Sequence, residues 1–134
     1  MPETTRTAKL ILTKMLTGGG YTVPTWQVGL SKTTINIDGT GATEPVGGSY
    51  GRRTLNASNW NDAENSVITN ASPITFLKAT SSWGTIKEIF ISDGTNICFH
   101  QPLMPNITVD AGTTVIIPPG CLIIKRDSSS YETG

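Results

Sequence analysis

Histidine is almost missing from this chain: His100 stands alone among 134 residues. Proton shuttling and most metal centres draw on imidazole, so that scarcity removes their usual raw material. His100 follows Phe99 at an expected strand end, where a single histidine reads as packing or surface. Cysteine is nearly as rare. Cys98 and Cys121 lie far apart with no ligand-type spacing around them, which excludes a cysteine-based zinc cluster. Both stand in apolar context, compatible with buried free thiols or with one bridge between neighbouring strands. No run approaches the roughly 20 apolar residues of a membrane-spanning helix, and Met1 to Thr7 lacks the apolar core of a secretion leader. The expectation is a soluble protein made in the cytoplasm, with no membrane partner.

Charge is scarce as well. Only 15% of residues are charged, and ten basic side chains balance ten acidic ones. No net field is available to steer a polyanion, so nucleic acid is excluded as a main partner. A near-neutral chain is poorly protected against self-association, which suits a component of an assembly. The nearest approach to a carboxylate pair is Asp62 with Glu64. In Asn- and Ala-rich sequence these read as loop caps, not as a glycosidase dyad. The glycines of 38–43 and 47–49 are not followed by Gly-Lys-Ser/Thr, so they punctuate loops and do not cradle phosphate. Asn56, Asn70 and Asn106 open chance matches to the glycosylation sequon. No catalytic residue, metal or cofactor is expected.

What the chain does have is Thr, Ser, Asn and Gly, residues of strands, turns and uncharged surfaces. One helical pattern occurs. Ala8, Ile11, Leu12, Met15 and Leu16 form an apolar stripe, with Thr7 as N-cap and Gly18-Gly19-Gly20 as terminator, predicting a helix over about 8–17. So short a helix must dock, either on its own domain or on a neighbouring subunit. Strand grammar follows. Trp26, Val28 and Leu30 alternate with Gln27 and Gly29. Thr33 to Ile37 is strand-like within a long polar stretch, 31–51. Ser66 to Thr69, Ile74 to Leu77, Thr85 to Ser92 and Asn96 to His100 are expected strands, the last two joined at Asp93-Gly94, a hairpin signal. Ile107 to Val109, Val115 to Ile117 and Leu122 to Ile124 complete the set, with Pro118-Pro119-Gly120 turning the chain between the last two. The organisation expected is a polar arm (1–7), a single domain (8–126) and a polar tail (127–134). The fold class is mainly β: an antiparallel β-sandwich or jelly-roll-like barrel with one short N-terminal helix.

Two segments stand out. Glu44-Pro45-Val46-Gly47-Gly48-Ser49-Tyr50-Gly51-Arg52-Arg53 is a glycine-broken bend delivering an aromatic ring and two guanidinium groups. Ala79-Thr80-Ser81-Ser82-Trp83-Gly84-Thr85-Ile86 is a turn feeding a strand. Tyr50, Arg52 and Arg53 are of types enriched in binding hot spots. They either hold a neighbour or, for the arginines, pair with the chain's own acids at an edge strand. Arg6 in the arm is a further interface candidate. Trp83 reads as a plug closing the sheet end, or as a sugar-stacking platform together with Trp60.

Beyond these two segments the chain carries Val28-Gly29-Leu30, Ile91-Ser92-Asp93-Gly94 and Val109 to Ile117 with Gly120. In this order, over about 26–125, the motifs resemble a small β-domain that many tailed bacteriophages encode, a tail-fibre-like or virion structural family. Similar small β-domains serve as capsid decoration proteins. The resemblance implies a non-enzymatic virion protein made in the host cytoplasm, with capsid decoration over junctions of the major capsid protein as the leading role. It also implies a homo-oligomer such as a trimer. A tail or fibre-base component contacting tail proteins is the alternative, and a carbohydrate-binding module using Trp60 or Trp83 is a third. Pro45 and Arg53 depart from the family pattern.

Overall fold

The computed structural model describes residues 4–5, 24–61 and 67–125. The expected helix over 8–17, Arg6, Asp62, Glu64 and the tail 127–134 lie outside the described residues. Among the described residues eight strands follow in order: β1 (Trp26–Ser31), β2 (Arg53–Leu55), β3 (Val67–Thr69), β4 (Ile74–Thr75), β5 (Gly84–Ser92), β6 (Ile97–Val109), β7 (Ile116–Ile117) and β8 (Ile123–Lys125). All pair antiparallel, as a four-stranded sheet in the order β2-β1-β5-β6 and two ribbons, β3-β8 and β4-β7. The chain is therefore mainly β and antiparallel, as its turn spacing predicts.

Register decides what each face of the four-stranded sheet carries. Val28 lies opposite Ile91 and Leu30 opposite Ile89, so these four side chains share one face. They join Ile74, Phe76, Trp83, Ile117 and Leu122 in a single core, which places both ribbons and the 76–83 turn against that face. The other face carries Gly29 opposite Phe90 and Ser31 opposite Glu88. It too is closed: Phe90 is fully buried, and Ser31, Glu88 and Ser92 are at most 3% exposed. Gly29 belongs there for steric reasons. A Cβ at this position would sit 2.4 Å from the Phe90 ring. The alternation that suggests an outward-facing Gly29 is thus answered by a ring lying across it.

The β5-β6 hairpin turns at Asp93-Gly94 as expected. Asp93 Oδ1 accepts from the Thr95 and Asn96 amides, and Gly94 takes φ 102°. The expected short strand at Thr33 to Ile37 does not form. Its polar groups find other partners: Ile35 N–H donates to the Glu88 carboxylate, Asn36 N–H to the Thr40 carbonyl, and the Thr33 hydroxyl to the Gly41 carbonyl. The stretch becomes a hydrogen-bonded loop laid over the second sheet face. Ile107 to Val109, expected as a separate strand, is the end of the long β6. Between them the β5-β6 ladder breaks. It runs Ile86 opposite Ile107 and then Glu88 opposite Pro102, so Leu103–Asn106 bow out of register. Pro102 and Pro105 lack the amide a regular ladder would use. Cys98 is buried and Cys121 exposed, and no disulfide joins them. Thr4, from the expected polar arm, is fully buried and donates its amide to the Cys98 carbonyl at 2.7 Å.

Substituting Gly29 with alanine forces the Phe90 ring to move under a closed loop. The expected cost is about 1–3 kcal/mol of unfolding free energy, read by urea titration. Unchanged stability would show that the ring has room to shift.

Candidate functional site

The two unusual segments meet. The Gly48 carbonyl accepts from the Trp83 indole N–H at 2.8 Å and from the Thr80 amide at 3.0 Å, and the Ser49 and Thr80 hydroxyls lie 3.2 Å apart. Gly48, at φ 60°, has Trp83 Nε1 only 2.9 Å from where a Cβ would stand, so the approach depends on the absent side chain. Tyr50 then enters the aromatic cluster edge-on to Trp83 (centroids 5.2 Å apart) and stacked on Phe76 (6.4 Å). Trp83 is 2% exposed. Its ring is part of the core cluster. Trp60 is half-buried against the same core and bridges to Asn70.

From this cluster the phenol reaches a polar network. Tyr50 OH donates to Glu44 Oε1 at 2.7 Å and accepts the Leu30 amide at 3.0 Å. Arg52 grips the same carboxylate with two nitrogens, Nε to Oε1 at 2.9 Å and Nη2 to Oε2 at 3.0 Å, the fork geometry that suits guanidinium. A third nitrogen donates to Gln27 Oε1 at 3.3 Å, and the guanidinium carbon lies 5.1 Å from the Phe90 ring centroid. Of the two readings for the arginines, Arg52 therefore takes the chain's own acid. Arg53 opens β2 opposite Val28, half-buried, with no ion pair among the described residues.

The network has a structural task that follows from strand periodicity. β2 pairs only with Trp26–Val28, so β1 runs on without a backbone partner on that side. Leu30 N–H is taken by the Tyr50 phenol and Lys32 N–H by the Thr43 carbonyl at 2.7 Å. Phenol and loop thus continue the edge that β2 leaves unfinished. Electrostatics agree with this closure. Burial pushes the Glu44 carboxyl up, but hydrogen bonds from Arg52 and Tyr50 and the Arg52 charge outweigh it and hold Glu44 below its ordinary value of 4.5. Burial, with Glu44 nearby, pushes the Tyr50 phenol up, although the Leu30 hydrogen bond opposes it.

A second polar group lies on the sheet itself. Glu88, 3% exposed, accepts Ile35 N–H on Oε2 and meets His100 Nδ1 at 2.8 Å on Oε1. Sequence reasoning left His100 alone because its partner, Glu88, lies across the strand pair. The available signal is the alternation in Ile86 to Ile91, which puts Lys87 on the exposed side and leaves Glu88 as an acid within a buried strand.

Tyr50→Phe removes both the acceptor of a strand-edge amide and a donor to Glu44, and is expected to cost about 1–3 kcal/mol by denaturant unfolding. Glu44→Gln tests the charge. Because the folded carboxyl titrates below its unfolded value, its contribution is complete above about pH 4.5 and disappears as pH falls through the folded value. The mutant should therefore lose stability near neutrality yet show a shallower decline on acidification. A parallel decline in both proteins would detach Glu44 from the acid limb.

Comparison with the curated proteins gives no match. A scan against family models matches residues 3–125 to one described as Podophage GP4 fiber I protein gp80. The match takes in every described strand and both segments of the network. On that coverage the chain belongs to the Podophage GP4 fiber I protein gp80 family, a family of tail-fibre-like structural proteins of phage virions.

Proposed function

We propose that this protein is a non-enzymatic structural component of the fibre apparatus of a tailed-phage virion, where it contacts other virion proteins and copies of itself. The family match over residues 3–125 carries this reading and favours the fibre over capsid decoration. The network gives it physical sense. Tyr50 and Arg52, the residues most suited to a hot spot, brace the loop that finishes the β1 edge. What remains outside is a weakly charged surface with exposed apolar side chains, Val46 in a loop at 94% and Met104 on the bow of β6 at 89% exposure. Such a surface suits contacts made many times in an assembly, each of modest strength.

Dissected virions provide the test. Antibody against the purified chain should label the fibre-bearing tail fraction, and light scattering of the isolated protein should give a multiple of 14.3 kDa. Label confined to emptied capsids would overturn the fibre assignment in favour of decoration. A strict monomer at high concentration would remove the self-association.

A further inference from the structure

The bow of β6 carries an apolar knob on one side of the sheet and borders an apolar hole on the other. The knob is Met104, almost fully exposed and bracketed by Pro102 and Pro105. The fixed φ of each proline narrows the conformations open to the bow, so the knob is held out in place before any partner arrives. The same prolines lack the amides that an added strand would use, so a partner meets this stretch through side chains. Met104 stands on the sheet face where Ile35 and Glu88 lie.

The hole, about 270 Å³, lies on the core-facing side, with Leu103 and Ile107 of β6 in one wall and Val115 and Ile116 in another. Ile107 pairs opposite the core residue Ile86, which fixes that face. Ile116 and Ile107 are both exposed, so the mouth is at the surface. Among the described residues the lining holds no charge, and Gln101 and Cys121 are its polar members. The stretch Leu103 to Ile107 is uncharged as well. Two copies meeting here therefore desolvate no ion and set no like charges opposite each other, the usual obstacle to a surface binding its own kind. An unbranched, polarizable methionine suits an irregular apolar hole of this kind.

We propose that Met104 of one copy seats in this hole of the next, so that the chain assembles head to tail through the two sides of β6. The inference rests on the self-contact in the proposed function and names the surface that makes it. Geometry sets the symmetry. Knob and hole lie on opposite sides of the sheet, and a single two-fold partner would have to reach both. Each copy therefore gives its methionine to one neighbour and takes that of another. Such a contact closes as a ring of three or more copies or runs on as a chain.

Light scattering behind size exclusion, on the full chain and two variants, tests the assignment. The unaltered protein should reach three or more copies of 14.3 kDa. Met104→Asp keeps the hole but loses the knob, and Ile116→Asp keeps the knob but puts a charge in the hole. Each alone should run as a monomer. Mixed in equal amounts they should form a heterodimer and nothing larger, because a single sound knob and a single sound hole remain per pair. Urea titration checks that each variant folds, and Cys121→Asp, at another exposed position of the lining, replaces Ile116→Asp if that one does not. An unaltered protein that stops at two copies, variants that still assemble alone, or a mixture that stays monomeric would each overturn the head-to-tail contact while leaving self-association or the fibre assignment standing. An unaltered protein that is monomeric throughout would remove the self-contact and this surface together.

Discussion

One carboxylate, Glu44, settles where the long loop after β1 goes. Its two oxygens take an Arg52 fork and a Tyr50 phenol, and those two side chains reach opposite parts of the domain. Arg52 carries the contact to Phe90 on one sheet face, while the Tyr50 ring packs with Phe76 and Trp83 in the core. The Arg52–Glu44 pair is only about 30% exposed on each side. A surface pair of this kind is worth about 1 kcal/mol or less when isolated. Here it gains from a shared acceptor and from a cation–π contact of about 0.5–2 kcal/mol. The combined effect is less to glue the fold than to choose one loop path among many.

That choice explains why the sheet is buried on both faces in a chain with so few apolar residues. The 31–51 stretch cannot form a core of its own. It covers the second sheet face by hydrogen bonding: Ser31 Oγ accepts from the Thr33 and Thr43 amides, and Glu88 takes Ile35. Buried polar groups are tolerable when each has a partner. Phe90 supplies the apolar area beneath, and Gly29 makes the space for it. A polar loop, a bare glycine and one ring together replace the third layer that a larger protein would build from helices.

Local signals in the sequence carried the hairpin and the core strands. Asp93-Gly94 announces its turn, Pro118-Pro119-Gly120 ends β7, and Val28 with Leu30 alternates onto the core. Each of these depends on neighbours in the chain. Thr33 to Ile37 was misleading because its decisive partner, Glu88, is distant in sequence, and a side-chain acceptor displaced the strand ladder. The bow at Leu103–Asn106 was legible only as two prolines, Pro102 and Pro105, whose meaning depends on which strand lies opposite. At the network, residue types single out Tyr50 and Arg52. They did not give the direction these side chains face, because Glu44 and a half-paired β1 edge become visible only once the register is known.

The order of motifs that carries the resemblance is therefore an order of structural joints. Gly47-Gly48 and Trp83 close the sheet end, Glu44, Tyr50 and Arg52 fasten the loop, and Asp93-Gly94 turns the hairpin. Residues spent in this way constrain the scaffold, whereas other positions have fewer internal obligations. In this chain those positions lie along the bow of β6 and at loop tips such as Val46, where side chains can change without breaking a joint. A scaffold whose framework is fixed and whose rim is free can keep its fold while its outer side chains change.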